Sequence, residues 1–141
     1  FADNGDIAVI LGDNIFENDF SKDVSDFNNG ARVFLKKVSD SKRFGIAEIK
    51  DNKIVSIEEK PQNPKSDYAT TGFYLYDKSV FDKVRNLKPS KRGELEITDA
   101  HNLYINENNL SYGFVDGFWS DAGTFESLLK TSIWVSPCSV N

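Results

Sequence analysis

The chain has 141 residues, a formal net charge of -5 and a single cysteine, Cys138. A chain of that length can bury a core as one domain without staples, and a lone cysteine excludes an intrachain disulfide framework, so a reducing, cytoplasmic setting is expected. The acidic balance argues against a nucleic-acid partner, and no run reaches the roughly 18 consecutive apolar residues of a membrane span, so no membrane partner is expected either.

Residues 6–11, Asp-Ile-Ala-Val-Ile-Leu, form a nearly continuous aliphatic run ended by Gly12-Asp13-Asn14. Such a run predicts a strand buried on both faces of a mostly parallel sheet, with Asp13 at the C-terminal edge where these sheets bind ligands. Phe16, Phe20, Val24 and Phe27 recur at spacings of three and four and predict an amphipathic helix closed by Asn28-Asn29-Gly30. Strands are predicted over 31–38, over 46–49 and 53–58 as a hairpin around Lys50-Asp51-Asn52, and over 69–76, the most aromatic of them. Residues 79–87 read as a helix stopped by Lys88-Pro89-Ser90. Residues 94–106 place Leu95, Thr98, Asn102 and Ile105 in helical register, and 110–115 read as a returning strand. Thr124 is placed to cap a last helix with Ser127 three residues on, and Phe125, Leu128, Leu129 and Ile133 supply its apolar face. No repeat or linker divides residues 1–141, so one α/β domain is expected, with a mixed, mostly parallel sheet and one antiparallel insertion.

Two acidic turns stand out. Leu11-Gly12-Asp13-Asn14 follows a predicted strand, and Phe118-Trp119-Ser120-Asp121-Ala122-Gly123-Thr124 precedes a predicted helix. Magnesium takes oxygen ligands, usually one or two carboxylates with phosphates and water completing the shell, so Asp13 and Asp121 are candidate ligands of one Mg2+. Gly12, Ala122 and Gly123 leave room for a ligand, although the same aspartates would also serve as a turn-former and a helix cap. Lys60 follows Glu58-Glu59 at a strand end stopped by Pro61, which suits a phosphate at Lys60 and sugar hydroxyls at Glu59. Arg92 beside Gly93 is a second cation, and both also read as solvated surface charge. His101 has no second His or Cys at ligand spacing, which argues against zinc, and no role is assigned to it. The phosphate-loop, dinucleotide-binding and Gly-x-Ser-x-Gly patterns do not occur, so ATPase, dehydrogenase and serine hydrolase readings lose their main support.

In this order, Leu11-Gly12-Asp13-Asn14-Ile15-Phe16, Arg43-Phe44-Gly45, Glu58-Glu59-Lys60-Pro61, Thr71-Gly72-Phe73-Tyr74, Arg92-Gly93-Glu94-Leu95-Glu96-Ile97-Thr98-Asp99 and Trp119-Ser120-Asp121-Ala122-Gly123-Thr124 closely resemble the glucose-1-phosphate thymidylyltransferases. The resemblance runs from about residue 6 to about residue 134. It implies a Rossmann-like nucleotidyltransferase fold and an enzyme that joins glucose 1-phosphate to dTTP, releasing pyrophosphate. It implies Mg2+ at Asp13 and Asp121, sugar-site positions at Phe44, Gly45, Glu59 and Thr70, and cations for the sugar phosphate at Lys60 and Arg92. Phe44 stands where that family commonly has tyrosine and Thr70 where valine is common, so sugar choice is the property most exposed to change. The family's glycine-rich segment, which cradles the triphosphate, is not in this sequence. The chain is therefore expected to be the C-terminal part of a homo-oligomeric enzyme, inactive alone. A uridylyltransferase and a non-catalytic sugar-phosphate-binding or interaction module stay open as alternatives.

Overall fold

The computed structural model describes residues 2 and 5–136; Cys138 lies outside them. The most aromatic run becomes the central strand, β6 (Tyr68–Tyr76), in which every residue after the first is buried. It is flanked on one side by β3 (Ala31–Lys37), and on the other by β1 (Ile7–Ile10) along its second half and β4 (Gly45–Lys50) along its first. β5 (Lys53–Glu59) extends the sheet beyond β4, and β7 (Leu110–Phe114) beyond β3.

The sheet is mixed, as the sequence predicts, but its parallelism is not. Among the described residues β3–β7 is the one parallel pair, and every other pairing is antiparallel. The continuous apolar runs arise from covering both faces rather than from parallel crossovers. On one face Val33, Leu35, Tyr74 and Tyr76 pack with Tyr104 and Val80; on the other Phe34, Phe73, Leu75 and Val115 pack with Phe16, Phe20, Phe27 and Trp119. Helices α2 (Val80–Arg85) and α3 (Ile97–Asn106) cover the first face. Against expectation β1 is an edge strand with alternating burial, leaving Ile10 60% exposed.

The phenylalanine spacing also misleads. Phe16 ends the short strand β2 (Asn14–Phe16), Phe20 precedes the six-residue helix α1 (Ser21–Asp26), and Phe27 follows it, while Val24 is exposed. The three rings share a purpose, the aromatic cluster on Phe34 and Phe73, without sharing a helix. The hairpin turn is as predicted: Asp51 and Asn52 both have left-handed backbone, φ 48° and 60°, which matches the right-handed twist of the strands they join.

Helix α3 starts later than its periodicity suggests, at Ile97, and Leu95 lies outside it, exposed. The Asn102 amide docks α3 on β5, donating to the Ile57 carbonyl at 2.8 Å and accepting from the Ile57 N–H at 3.0 Å. His101 is fully buried against Tyr74 and Tyr76, with Nε2 2.6 Å from the Tyr76 hydroxyl, and burial holds its pKa down to about 3. The last helix, α4 (Phe125–Val135), has the predicted capping box, with Thr124 and Ser127 satisfying each other's N–H groups. Its apolar face does not pack: Phe125, Leu128, Leu129 and Ile133 are all exposed.

Candidate functional site

A second, two-stranded sheet brings the acidic turns together. β2 pairs antiparallel with β8 (Trp119–Asp121), with Asn14 opposite Asp121, and the Ala122 N–H donates to the Asp13 carbonyl at 2.7 Å. The two aspartates thus meet on this ribbon, not at the C-terminal edge of the main sheet, and Thr124 rather than Asp121 caps α4. A three-residue strand carries too little pattern to be read from sequence. A Cβ placed on Gly123 would sit 3.4 Å from Asp13 Oδ2 and 3.8 Å from Asp121 Oδ1. Both oxygens therefore border the hollow left by the missing side chain.

Asn14, quoted in the motif but given no role by the sequence reading, holds this corner together. Its buried side-chain oxygen accepts from the Gly72 N–H at 2.9 Å and from Trp119 Nε1 at 2.7 Å, while its amide donates to Asp13 Oδ1 at 2.8 Å. Gly72 is needed for that approach, since a Cβ there would lie 2.5 Å from the Asn14 amide. One side chain fixes the aspartate, the indole and the central strand. An Asn directly after the turn residue Asp13 is the sequence signal for it.

The predicted sugar positions also converge. Gly45 pairs with Glu59 across β4–β5, and a Cβ on Gly45 would meet Thr70 Oγ1 and Thr98 Cγ2 at 2.8 Å and Glu59 Oε2 at 3.2 Å. The Thr70 hydroxyl donates to the Gly45 carbonyl at 3.2 Å, so the hydroxyl that replaces the commoner valine is answered locally. Thr98, buried at the start of α3, was not picked out from sequence because it reads there only as a helix-register position. Burial, then the charge of Glu96, raises the Glu59 pKa above the usual carboxylate value.

Lys60 has left-handed backbone, φ 44°, an uncommon conformation for a residue other than glycine, and its N–H donates to the Phe44 carbonyl at 3.0 Å. Among the described residues no ion pair or hydrogen bond engages its ammonium. Arg92, by contrast, lies among three carboxylates: Glu94 at 3.1 Å, Glu96 at 3.2 Å and Glu59 at 3.9 Å. Lys65, outside the motif, is paired with Glu48 at 3.0 Å.

Phe44 and Trp119 pack with ring centroids 5.4 Å apart and join the two halves of the site. Beyond them opens a cleft of about 480 Å³ that Arg43, Asp121 and Lys130 also line. Burial, with the charges of Glu59 and Asp13, raises the Tyr74 pKa, so one hydroxyl feels both the sugar-side and the metal-side carboxylate. For a metal, no group of three or more His, Cys, Asp or Glu among the described residues could form a protein cage. Two carboxylates around an open hollow fit Mg2+ instead, whose remaining ligands are phosphates and water.

Residues 1–135 match the nucleotidyl transferase family. The chain belongs to that family. A glucose-1-phosphate thymidylyltransferase from Neisseria meningitidis serogroup A is 44% identical over 96% of this chain and 49% of its own length, and one from Mycolicibacterium smegmatis is 41% identical over 94% and 48%. This nucleotidyl transferase chain thus spans about half the length of the curated relatives it matches. A crystal structure from Bacillus anthracis, assigned as a glucose-1-phosphate thymidylyltransferase and holding sucrose, superposes with a TM-score of 0.89 at 47% identity, over 99% of this chain and 58% of that one. A UDP-glucose pyrophosphorylase complexed with UDP-glucose has a TM-score of 0.81 at 21% identity, over 94% and 56%, and shares the fold. The α/β nucleotidyltransferase fold of the sequence reading is therefore the fold observed. No helix among the described residues is long and apolar enough to cross a membrane.

Proposed function

We propose that this chain carries the sugar-phosphate- and metal-binding part of an enzyme that transfers a nucleotidyl group from dTTP to glucose 1-phosphate, giving dTDP-glucose and pyrophosphate. The observation that carries the reading is the convergence at Gly45: the half-buried Glu59 carboxylate and the Thr70 and Thr98 side chains crowd the place of its missing Cβ, the preceding Phe44 packs on Trp119, and Lys60, whose ammonium has no ion pair among the described residues, directly follows Glu59. Glu59 accepts hydrogen bonds from sugar hydroxyls. Lys60 and Arg92 hold and orient the phosphate whose oxygen attacks the α-phosphorus of dTTP in line. No residue need act as general base, because a phosphate monoester is largely ionised near neutral pH. Asp13 and Asp121 hold Mg2+, which when bound supplies charge neutralisation at the reacting phosphates. Thymidylyl transfer is favoured over uridylyl transfer by the names of the relatives above 40% identity.

Calorimetric titration with glucose 1-phosphate in Mg2+ tests this directly. Lys60→Ala is expected to weaken binding about tenfold or more, whereas Lys65→Ala, which removes only a surface partner of Glu48, leaves it unchanged. Equal losses would reduce Lys60 to ordinary surface charge.

A second reading, a non-catalytic module that binds another chain, draws on the apolar face of α4, where Phe125 is 94% and Ile133 66% exposed. Patches of that kind commonly mark protein contacts, and the same face suits a homo-oligomer of the enzyme. Light scattering that shows a monomer at high concentration would remove support for both.

A further inference from the structure

We propose that Arg43 is the resident counter-cation of the metal site, neutralising Asp121 through the oxygen that a divalent cation would take and holding the affinity for that cation down. The inference rests on the assignment of Mg2+ to Asp13 and Asp121 and concerns a residue to which that assignment gives no part.

Arg43 closes a single 3-10 turn (Ser41–Arg43), with Nη2 3.4 Å from Asp121 Oδ1 and its guanidinium carbon 5.4 Å from the Phe44 ring centroid. The ring and the carboxylate fix it from two sides. Asp121 Oδ1 is the same oxygen that borders the Gly123 hollow opposite Asp13 Oδ2. Asp13 has no cation of its own among the described residues; its Oδ1 is taken up by the Asn14 amide. Without Arg43 the hollow would therefore face two carboxylates with no positive charge on either. The pair is also built to be displaced. It is long for a charged hydrogen bond, and the Arg43 and Asp121 side chains keep 44% and 26% of their exposure, conditions under which an ion pair contributes little. A dication and a guanidinium on one oxygen repel each other, so binding of the first requires movement of the second.

Divalent affinity should therefore rise when the charge at position 43 is removed. Free Mn2+ measured by electron paramagnetic resonance gives that affinity without reference to turnover. Arg43→Gln is expected to bind Mn2+ about fivefold more tightly than the wild type, and Arg43→Lys about as the wild type does. Unchanged or weaker binding by Arg43→Gln overturns the inference. Asp121→Asn separates it from the reading beneath: if that variant loses affinity while Arg43→Gln gains none, only the role of Arg43 fails. If Asp121→Asn binds as the wild type does, the metal assignment fails and takes this inference with it. A readout that needs no folded variant is the Arg43 side-chain Nε–H signal in a nitrogen-15 spectrum. It should shift as Mg2+ saturates the wild-type protein, and a signal indifferent to Mg2+ overturns the inference equally.

Discussion

The centre of the main sheet and the β2–β8 ribbon treat polar groups in opposite ways. In the centre most buried polar groups are answered, Arg32 Nε and His101 Nδ1 being the exceptions among the described residues: the Thr71 hydroxyl donates to the Phe34 carbonyl at 3.0 Å, Asn102 bridges both backbone groups of Ile57, and Tyr76 meets His101 Nε2. At the candidate site the charges are left more available: on the ribbon Asp13 is exposed and Asp121 has only the long pair with Arg43, and at the end of β5 burial raises the Glu59 pKa while Lys60 has no ion pair among the described residues. Unanswered charge lowers stability, so a site that keeps it must be supported by a neighbour that does not. Asn14 is the joint between the two regions, since it belongs to the ribbon and hydrogen-bonds the central strand at Gly72.

The contrast breaks most visibly if a central polar group is removed. His101→Ala opens a cavity beneath Tyr74 and Tyr76 and orphans the Tyr76 hydroxyl, an expected loss of about 3 kcal/mol in urea unfolding. The same residue sets a pH dependence. Its folded pKa of about 3 lies below the unfolded value of 6.5, so its contribution is complete above pH 6.5 and is lost as pH falls toward 3. Over that interval this group should lower stability progressively as the pH falls. His101→Phe should flatten that slope, and a slope unchanged in the variant would assign it to other groups.

Gly45 is hemmed in by Glu59 of β5, Thr70 of β6 and Thr98 of α3. Gly45→Val pushes a side chain into Thr70 and Thr98, so a cost of about 2 kcal/mol is expected together with loss of measurable glucose 1-phosphate binding. Retained binding would move the sugar away from Gly45. Glu59→Gln should separate function from stability. Because its raised pKa means that the fold disfavours the ionised form, the amide should leave the thermal midpoint equal or slightly higher while sugar binding falls about tenfold. A drop in both would make Glu59 a structural residue. The smallest effect is expected on α4, where Phe125→Ser removes an exposed ring and should change stability by less than about 0.5 kcal/mol in dilute protein.

Most of the strands were legible in the sequence, because the aromatic run at 69–76 and the hairpin around Asp51-Asn52 carry period and turn chemistry in a few adjacent residues. Strand direction was not, since two-sided burial writes the same apolar run whether neighbours are parallel or antiparallel. The phenylalanines at 16, 20 and 27 read as a helix because clustering on Phe34 and Phe73 happens to use helical spacing. At the site, Asp13 and Asp121 beside small residues at element ends, and Glu59 with Lys60 at a strand end, are local signals, whereas Phe44, Gly45 and Thr70 could be named only through the family resemblance. Thr98 and Arg43 could not, because each acts through a partner far along the chain, Gly45 for one and Asp121 for the other.

On the proposed function, one site holds both the divalent cation and the sugar phosphate. Phosphorus-31 relaxation of glucose 1-phosphate in the presence of protein and substoichiometric Mn2+ tests it directly, because paramagnetic broadening is steeply distance-dependent. Strong broadening of the phosphate signal is expected with the wild type, with return to the protein-free value in Asp13→Asn and in Lys60→Ala, one variant for each ligand. Broadening that survives both substitutions, or a wild-type protein that leaves the phosphate signal unchanged, would contradict the claim.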